Sequence, residues 1–146
     1  MLYIGSDYAG YKLKESLKKY LQTKGIKFSD VGSHQGSQKN DFTDFVPSVV
    51  TGVKKNSRNR GILICGTGFG MDIAANRFSG IRATLIHTQR QAQYARTHDN
   101  ANVLVLSAWQ VTAARSRAIV DIWMRTQFRA VPRRLKRFKI IDAWHK

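Results

Sequence analysis

The sequence predicts an α/β fold in which a parallel sheet is covered by helices on both faces. Three observations predict it. Short apolar runs alternate with amphipathic segments along almost the whole chain, the signature of strand–helix–strand units. Each unit turns on glycine or polar residues. No internal repeat, low-complexity run or linker interrupts the pattern, so the 146 residues form one domain, 1–146.

The elements follow in order. Leu2–Gly5 is a short strand. Lys12–Thr23 is a helix with Leu13, Leu17, Tyr20 and Leu21 at helical spacing, its lysines on the opposite face, and Gly25 closes it. Ile26–Val31 is a second strand and residues 32–41 a polar loop. Phe42–Val53 is a helix despite Pro47 at its middle. Gly61–Ile64 is a buried strand, and a helix starts over Gly70–Arg77. Strand, helix, strand and helix then occupy Ile81–Ile86, Arg90–Thr97, Val103–Ser107 and Val111–Thr126. In such sheets ligands bind beyond the carboxyl ends of the strands, where the winding direction changes. Gly5–Gly10, Cys65–Gly70 and His98–Asn102 are expected together at that edge.

Charge is the unusual feature: 25 Lys and Arg against 9 Asp and Glu, a net +16. Eight of the basic residues lie in 125–146, against one acid, Asp142. This favours anionic partners, from phosphorylated metabolites to nucleic acid, and it also describes a solvated surface. No window approaches the roughly 18 apolar residues of a membrane span. The amino terminus reads as a strand rather than a signal peptide. A single cysteine cannot form an internal disulfide, which fits a cytoplasmic protein.

That cysteine sits in ILICGTGFGMDIAAN, followed by Gly66, Gly68 and Gly70 at alternate positions. The loop is neither a GxxxxGKS phosphate loop nor a GxGxxG turn. It is a bend at the start of a helix, whose backbone N–H groups can face an oxyanion or lower the pKa of a thiol. The spacing equally describes an inert cysteine in a structural turn. Zinc has no second cysteine, and His34, His87, His98 and His145 lack ligand spacing. His98, in THDNANV, can move protons near neutral pH with Asp99 and its asparagine neighbours orienting it, or can simply end a helix. Asp7, in GSDYAG, can be a functional acid or a helix cap. In the tail FRAVPRRLKRFKII, Arg133 and Arg137 are four apart and could clamp a phosphate, or the arm could be an amphipathic interface helix.

Together GSDYAGYKLKESLKKYL, GILICGTGFGMDIAANRFSGIRA and HDNANVLVLSA resemble the type B ribose-5-phosphate isomerase family, which includes galactose-6-phosphate isomerase subunits. The likeness runs in order from about Leu2 to Thr126. It implies a Rossmann-like three-layer α/β/α sandwich with about five parallel strands, in a homodimer or homotetramer with shared active sites. It implies cofactor-free, metal-free interconversion of an aldose phosphate and a ketose phosphate. Ribose 5-phosphate is then the default substrate, a hexose 6-phosphate of galactose or allose type the rival, alone or as one subunit of a heteromer. A non-catalytic polyanion-binding relative is the reading of a different class.

By position the resemblance makes Cys65 the proton-transfer base and makes Thr67 with the Gly66–Gly70 amides the enediolate stabilisers. His98 becomes the ring-opening group and Asp7 an acid contacting the sugar. Tyr8, Asp99, Arg133 and Arg137 complete the substrate contacts. The His98 segment and the arginines are supplied by a neighbouring subunit, on which the basic arm 127–146 packs. The chain departs from the family pattern at Tyr8, where a histidine is usual, at Asp99 for asparagine, and at Trp109 for arginine. The tail arginines match only with a one-residue shift.

Overall fold

The computed structural model describes residues 1–35 and 40–144. Residues 36–39 of the polar loop, and His145 and Lys146 at the end of the basic tail, lie outside the described residues. The strands are β1 (Leu2–Ser6), β2 (Phe28–Asp30), β3 (Arg60–Cys65), β4 (Ala83–Leu85) and β5 (Val103–Ser107). The helices are α1 (Tyr11–Thr23), α2 (Phe42–Lys54), α3 (Phe69–Ala75), α4 (Gln89–Asp99), α5 (Ala113–Arg125) and α6 (Pro132–Ala143). All strand pairs are parallel, in the order β2-β1-β3-β5-β4, which is the expected architecture.

Strand direction alternates the side chains between two cores. Leu2 and Ile4 of β1, with Ile62, Ile64, Leu104 and Leu106, meet Leu13, Leu17 and Leu21 of α1 and Ile119, Val120 and Trp123 of α5. On the opposite face Leu63, Cys65, Val103 and Val105 meet Val46, Val49, Val50 and Val53 of α2 and Met71 and Ala75 of α3. The central strands β3 and β5 are apolar on both faces for this reason. Pro47 stays on the exposed face of α2, and an Asp41–Asp44 capping box secures the helix start.

Both edge strands are shorter than their apolar runs suggest, three residues each. Each pairs on one side only. At β4 the free side is covered from α3: Asn76 donates through Nδ2 to the Ala83 carbonyl at 3.0 Å and accepts from the Ala83 N–H through Oδ1 at 2.9 Å. An amide side chain thus takes the place of a further strand.

One lysine of α1 does not follow the expected solvent-facing pattern. Lys14 is fully buried and its ammonium bonds to Asp30 at 2.6 Å and Glu15 at 2.8 Å, while Lys18 reaches Asp30 at 2.6 Å. Asp30 also accepts the Gly32 N–H at 3.3 Å, so the cluster fixes α1 to the end of β2. Burial pushes the Asp30 pKa up, but the hydrogen bonds from Lys14 and Lys18 outweigh it and hold the carboxyl below its ordinary value.

Candidate active site

The winding direction reverses between β1 and β3, because α1 carries the chain outward to β2 and α2 returns it to the other side of β1. Asp7 follows β1 and Cys65 ends β3, so both stand at this switch point. The Asp7 N–H donates to the Ile64 carbonyl at 3.3 Å, and its Oδ1 accepts the Gly10 N–H at 2.9 Å. Gly10 is required by space: a Cβ there would lie 2.2 Å from the Ile64 carbonyl oxygen. Its absence lets α1 start directly against β3. Tyr8, next along, is 44% exposed at the rim.

Cys65 is 6% exposed, and its Sγ accepts the Gly68 N–H at 3.1 Å. Gly68 holds φ at +87°, and a Cβ there would lie 2.4 Å from Leu85 Cδ1. The left-handed turn aims this N–H back at the sulfur. Gly66 opens the loop and the Thr67 Oγ1 accepts the Phe69 N–H at 3.3 Å, while Gly70 lies in the first turn of α3 beneath the ring of Phe42.

The loop amides do not lower the thiol's pKa on balance, as the sequence suggested they would. Burial pushes the Cys65 thiol up. The Gly68 N–H opposes that, the Asp7 charge adds to it, and the Met71 N–H and Thr67 hydroxyl only partly offset the sum. Burial likewise raises Asp7 above its ordinary value, against the Gly10 and Ala9 N–H groups. A thiol held protonated in this way is a strong base once it loses its proton.

The His98 segment does not share this edge. After β4 the chain returns antiparallel through α4, so its last turn, with His98 and Asp99, lies at the amino edge of the sheet. Gly61 pairs with Val103 and Cys65 with Ser107, which sets Asn102 level with Arg60. Five residues of strand, about 16 Å, separate that level from Cys65. The expectation of one shared edge within a chain is therefore corrected: residues that precede a parallel strand lie opposite those that follow one.

At the amino edge the remaining predicted residues do meet. A cleft of ≈ 370 Å³ is lined by His98, Asp99, Val131, Arg133, Arg134 and Arg137. The His98 ring stacks on Tyr94, centroids 5.2 Å apart and 9° from parallel. α6 carries the arginines, held across α4 by the Arg129 N–H on the Thr97 carbonyl at 3.1 Å and by Arg134 Nη1 on the same carbonyl at 3.1 Å. Arg134, absent from the sequence-predicted residues, thus ties α6 to the end of α4 beside Arg133 and Arg137 and lines the same cleft. Its only signal was adjacency to Arg133.

One chain therefore carries two separate clusters: a buried thiol and carboxylate at the carboxyl edge, and an imidazole with guanidinium groups at the amino edge. No group of three His, Cys, Asp or Glu among the described residues is placed to hold a metal.

Residues 2–141 match the ribose/galactose isomerase family. A probable ribose-5-phosphate isomerase B of Mycoplasma genitalium is 41% identical over 128 residues, covering 87% of this chain and 84% of that protein. The crystal structure of a ribose 5-phosphate isomerase from Thermotoga maritima superposes with a TM-score of 0.93 at 42% identity, over 97% of each chain. The Mycoplasma genitalium ribose-5-phosphate isomerase B with bound ribulose-5-phosphate superposes with a TM-score of 0.92 at 39% identity, covering 98% of this chain and 94% of that one. The chain belongs to the ribose/galactose isomerase family.

Proposed function

We propose that this protein is a cofactor-free aldose–ketose isomerase that interconverts ribose 5-phosphate and ribulose 5-phosphate through an enediolate, with Cys65 as base. The observation that carries the reading is the buried thiol at the sheet's switch point, bonded to the Gly68 N–H, in a chain 39% identical to an isomerase holding ribulose-5-phosphate.

In the forward direction the Cys65 thiolate takes the proton from C2, and the C2–H electron pair forms the C1–C2 double bond as O1 takes the negative charge. The Gly66–Gly70 loop and the Thr67 hydroxyl stabilise the enediolate oxygens. Cys65 returns its proton to C1, the O2 hydroxyl gives up its proton as the C2 carbonyl forms, and O1 is reprotonated. Asp7 hydrogen-bonds the sugar hydroxyls.

The second half of the site comes from another copy. His98 opens the furanose by moving a proton from the O1 hydroxyl to the ring oxygen. Arg133 and Arg137 clamp the phosphate beside Tyr8, and Asp99 faces the sugar hydroxyls. This makes a homodimer the smallest active unit. The arm supports it: α6 has no buried residue, and Leu135, Ile140, Ile141 and Trp144 are all exposed in the single chain. Packing residues 127–146 on a neighbour covers that surface. The lone buried cysteine suits a cytoplasmic enzyme, and no helix among the described residues is long and apolar enough to cross a membrane.

The test is a panel of tetrose, pentose and hexose phosphates assayed in D₂O for ketose formation and loss of the C2-bound proton by NMR. Ribose 5-phosphate is expected to give both. Preference for a hexose 6-phosphate would move the substrate assignment, and exchange with no sugar phosphate would overturn the enzyme.

A further inference from the structure

The rim of the carboxyl-edge half carries one large side chain that this chemistry does not use. Trp109, two residues beyond β5, is 71% exposed. Three hydrogen bonds fasten its segment to the catalytic loop. The Ala108 N–H donates to the Cys65 carbonyl at 2.8 Å, the Trp109 N–H donates to the Gly66 carbonyl at 3.2 Å, and the Ser107 hydroxyl donates to that same carbonyl at 2.7 Å.

The indole follows its backbone. A Cβ added at Gly66 would lie 2.7 Å from the ring atoms Cε2 and Cζ2 and 3.0 Å from Cη2. Gly66 has no positive φ, so what its glycine supplies is room for the ring. The indole therefore lies on the bare Cα of the residue next to Cys65, with most of its surface open. Cys65 itself packs towards α2 and α3, and the indole lies against the residue that follows it. Trp123, by comparison, is fully buried under α5. A rigidly mounted, open aromatic face beside a reactive group is a place for a ligand's apolar surface. A sugar phosphate held between Cys65 and a distant phosphate clamp has such a surface in the C–H groups of its carbon chain.

We propose that Trp109 determines specificity: its open indole face packs on the C–H face of the substrate's carbon chain, selecting chain length and shape. This rests on the isomerase reading above.

The experiment is steady-state kinetics of Trp109→Ala, Trp109→Phe, Gly66→Ala and the Gly66→Ala/Trp109→Ala double variant, with the sugar-phosphate panel and sedimentation of each protein. Trp109→Ala is expected to raise KM for the best substrate about tenfold while kcat changes less than about threefold, the pattern of lost uniform binding. Its preference between pentose and hexose phosphates narrows, and Trp109→Phe keeps most of the wild-type KM. Gly66→Ala displaces the ring and costs activity in the wild type, but adds little once Trp109 is alanine. An unchanged KM and preference in Trp109→Ala, or a KM rise that merely tracks weaker self-association, overturns the inference while leaving the isomerase intact. A wild-type protein that turns over no sugar phosphate overturns both.

Discussion

The two edges of this sheet are built by opposite means. At the carboxyl edge Cys65 is nearly sealed, and backbone groups hold it: the Gly68 N–H on the sulfur, the Ala108 N–H on its carbonyl. At the amino edge Arg133 and Arg137 are exposed on a helix that buries none of its residues and is fastened chiefly through Arg129 and Arg134. Proton transfer depends on sub-ångström placement in a dry site, which backbone geometry supplies. Gripping a phosphate needs charge and reach, which long side chains supply. The carboxyl-edge group is enclosed within one chain, whereas the amino-edge arginines stand open to solvent.

The sharpest break of the first half is Cys65→Ala. It is expected to lower kcat by about 10³-fold or more, in the range of a lost general base, with circular dichroism and melting temperature nearly unchanged. Undiminished turnover would remove Cys65 from the mechanism.

The support beneath that half can be broken separately. Asp30→Asn leaves the buried Lys14 ammonium without its closest carboxylate and is expected to cost about 3 kcal/mol in urea unfolding. The sign of the pH effect follows from the lowered Asp30 pKa. Its contribution is complete above the unfolded value, about 4, and is lost as pH falls through the folded one. Wild type and Asp30→Asn should therefore converge in stability in acid, and a constant difference would contradict the pairing.

At the other edge, Arg133→Ala and Arg137→Ala are each expected to raise KM for the sugar phosphate roughly 10- to 100-fold, the worth of a charged hydrogen bond. kcat should change far less. An equal loss in the Arg134→Ala variant with Arg133 and Arg137 intact would show that its tie to α4 holds them in place.

The pH profile sharpens the comparison further. Because burial raises the thiol, kcat/KM is expected to climb about tenfold per pH unit through neutrality and to level off above about 8.5, the ordinary thiol value. A plateau already at pH 7 would mean that a second copy lowers the Cys65 pKa on docking.

Much of this was legible in the sequence. The apolar runs of β1, β3 and β5 mark the central strands, and CGTGFGM marks its own loop. The edge strands were overextended, since periodicity cannot show that one side lacks a partner. Lys14 reads like its neighbours Lys12 and Lys18, and only the approach of Asp30 explains its burial. The placement of His98 was legible but misread: THDNANV precedes β5, and in a parallel sheet that fixes it at the amino edge. The thiol's raised pKa depends on a sum of burial and opposing N–H groups that no spacing reveals.

The central claim is that one active site takes Cys65 from one copy and His98 with the arginines from another. The most direct test mixes inactive Cys65→Ala protein with inactive His98→Ala protein under conditions that exchange subunits. In a symmetric dimer half the molecules become heterodimers with one intact site of two, so about a quarter of wild-type activity should return. Failure to recover activity, with subunit exchange confirmed by mass spectrometry, would contradict the shared site.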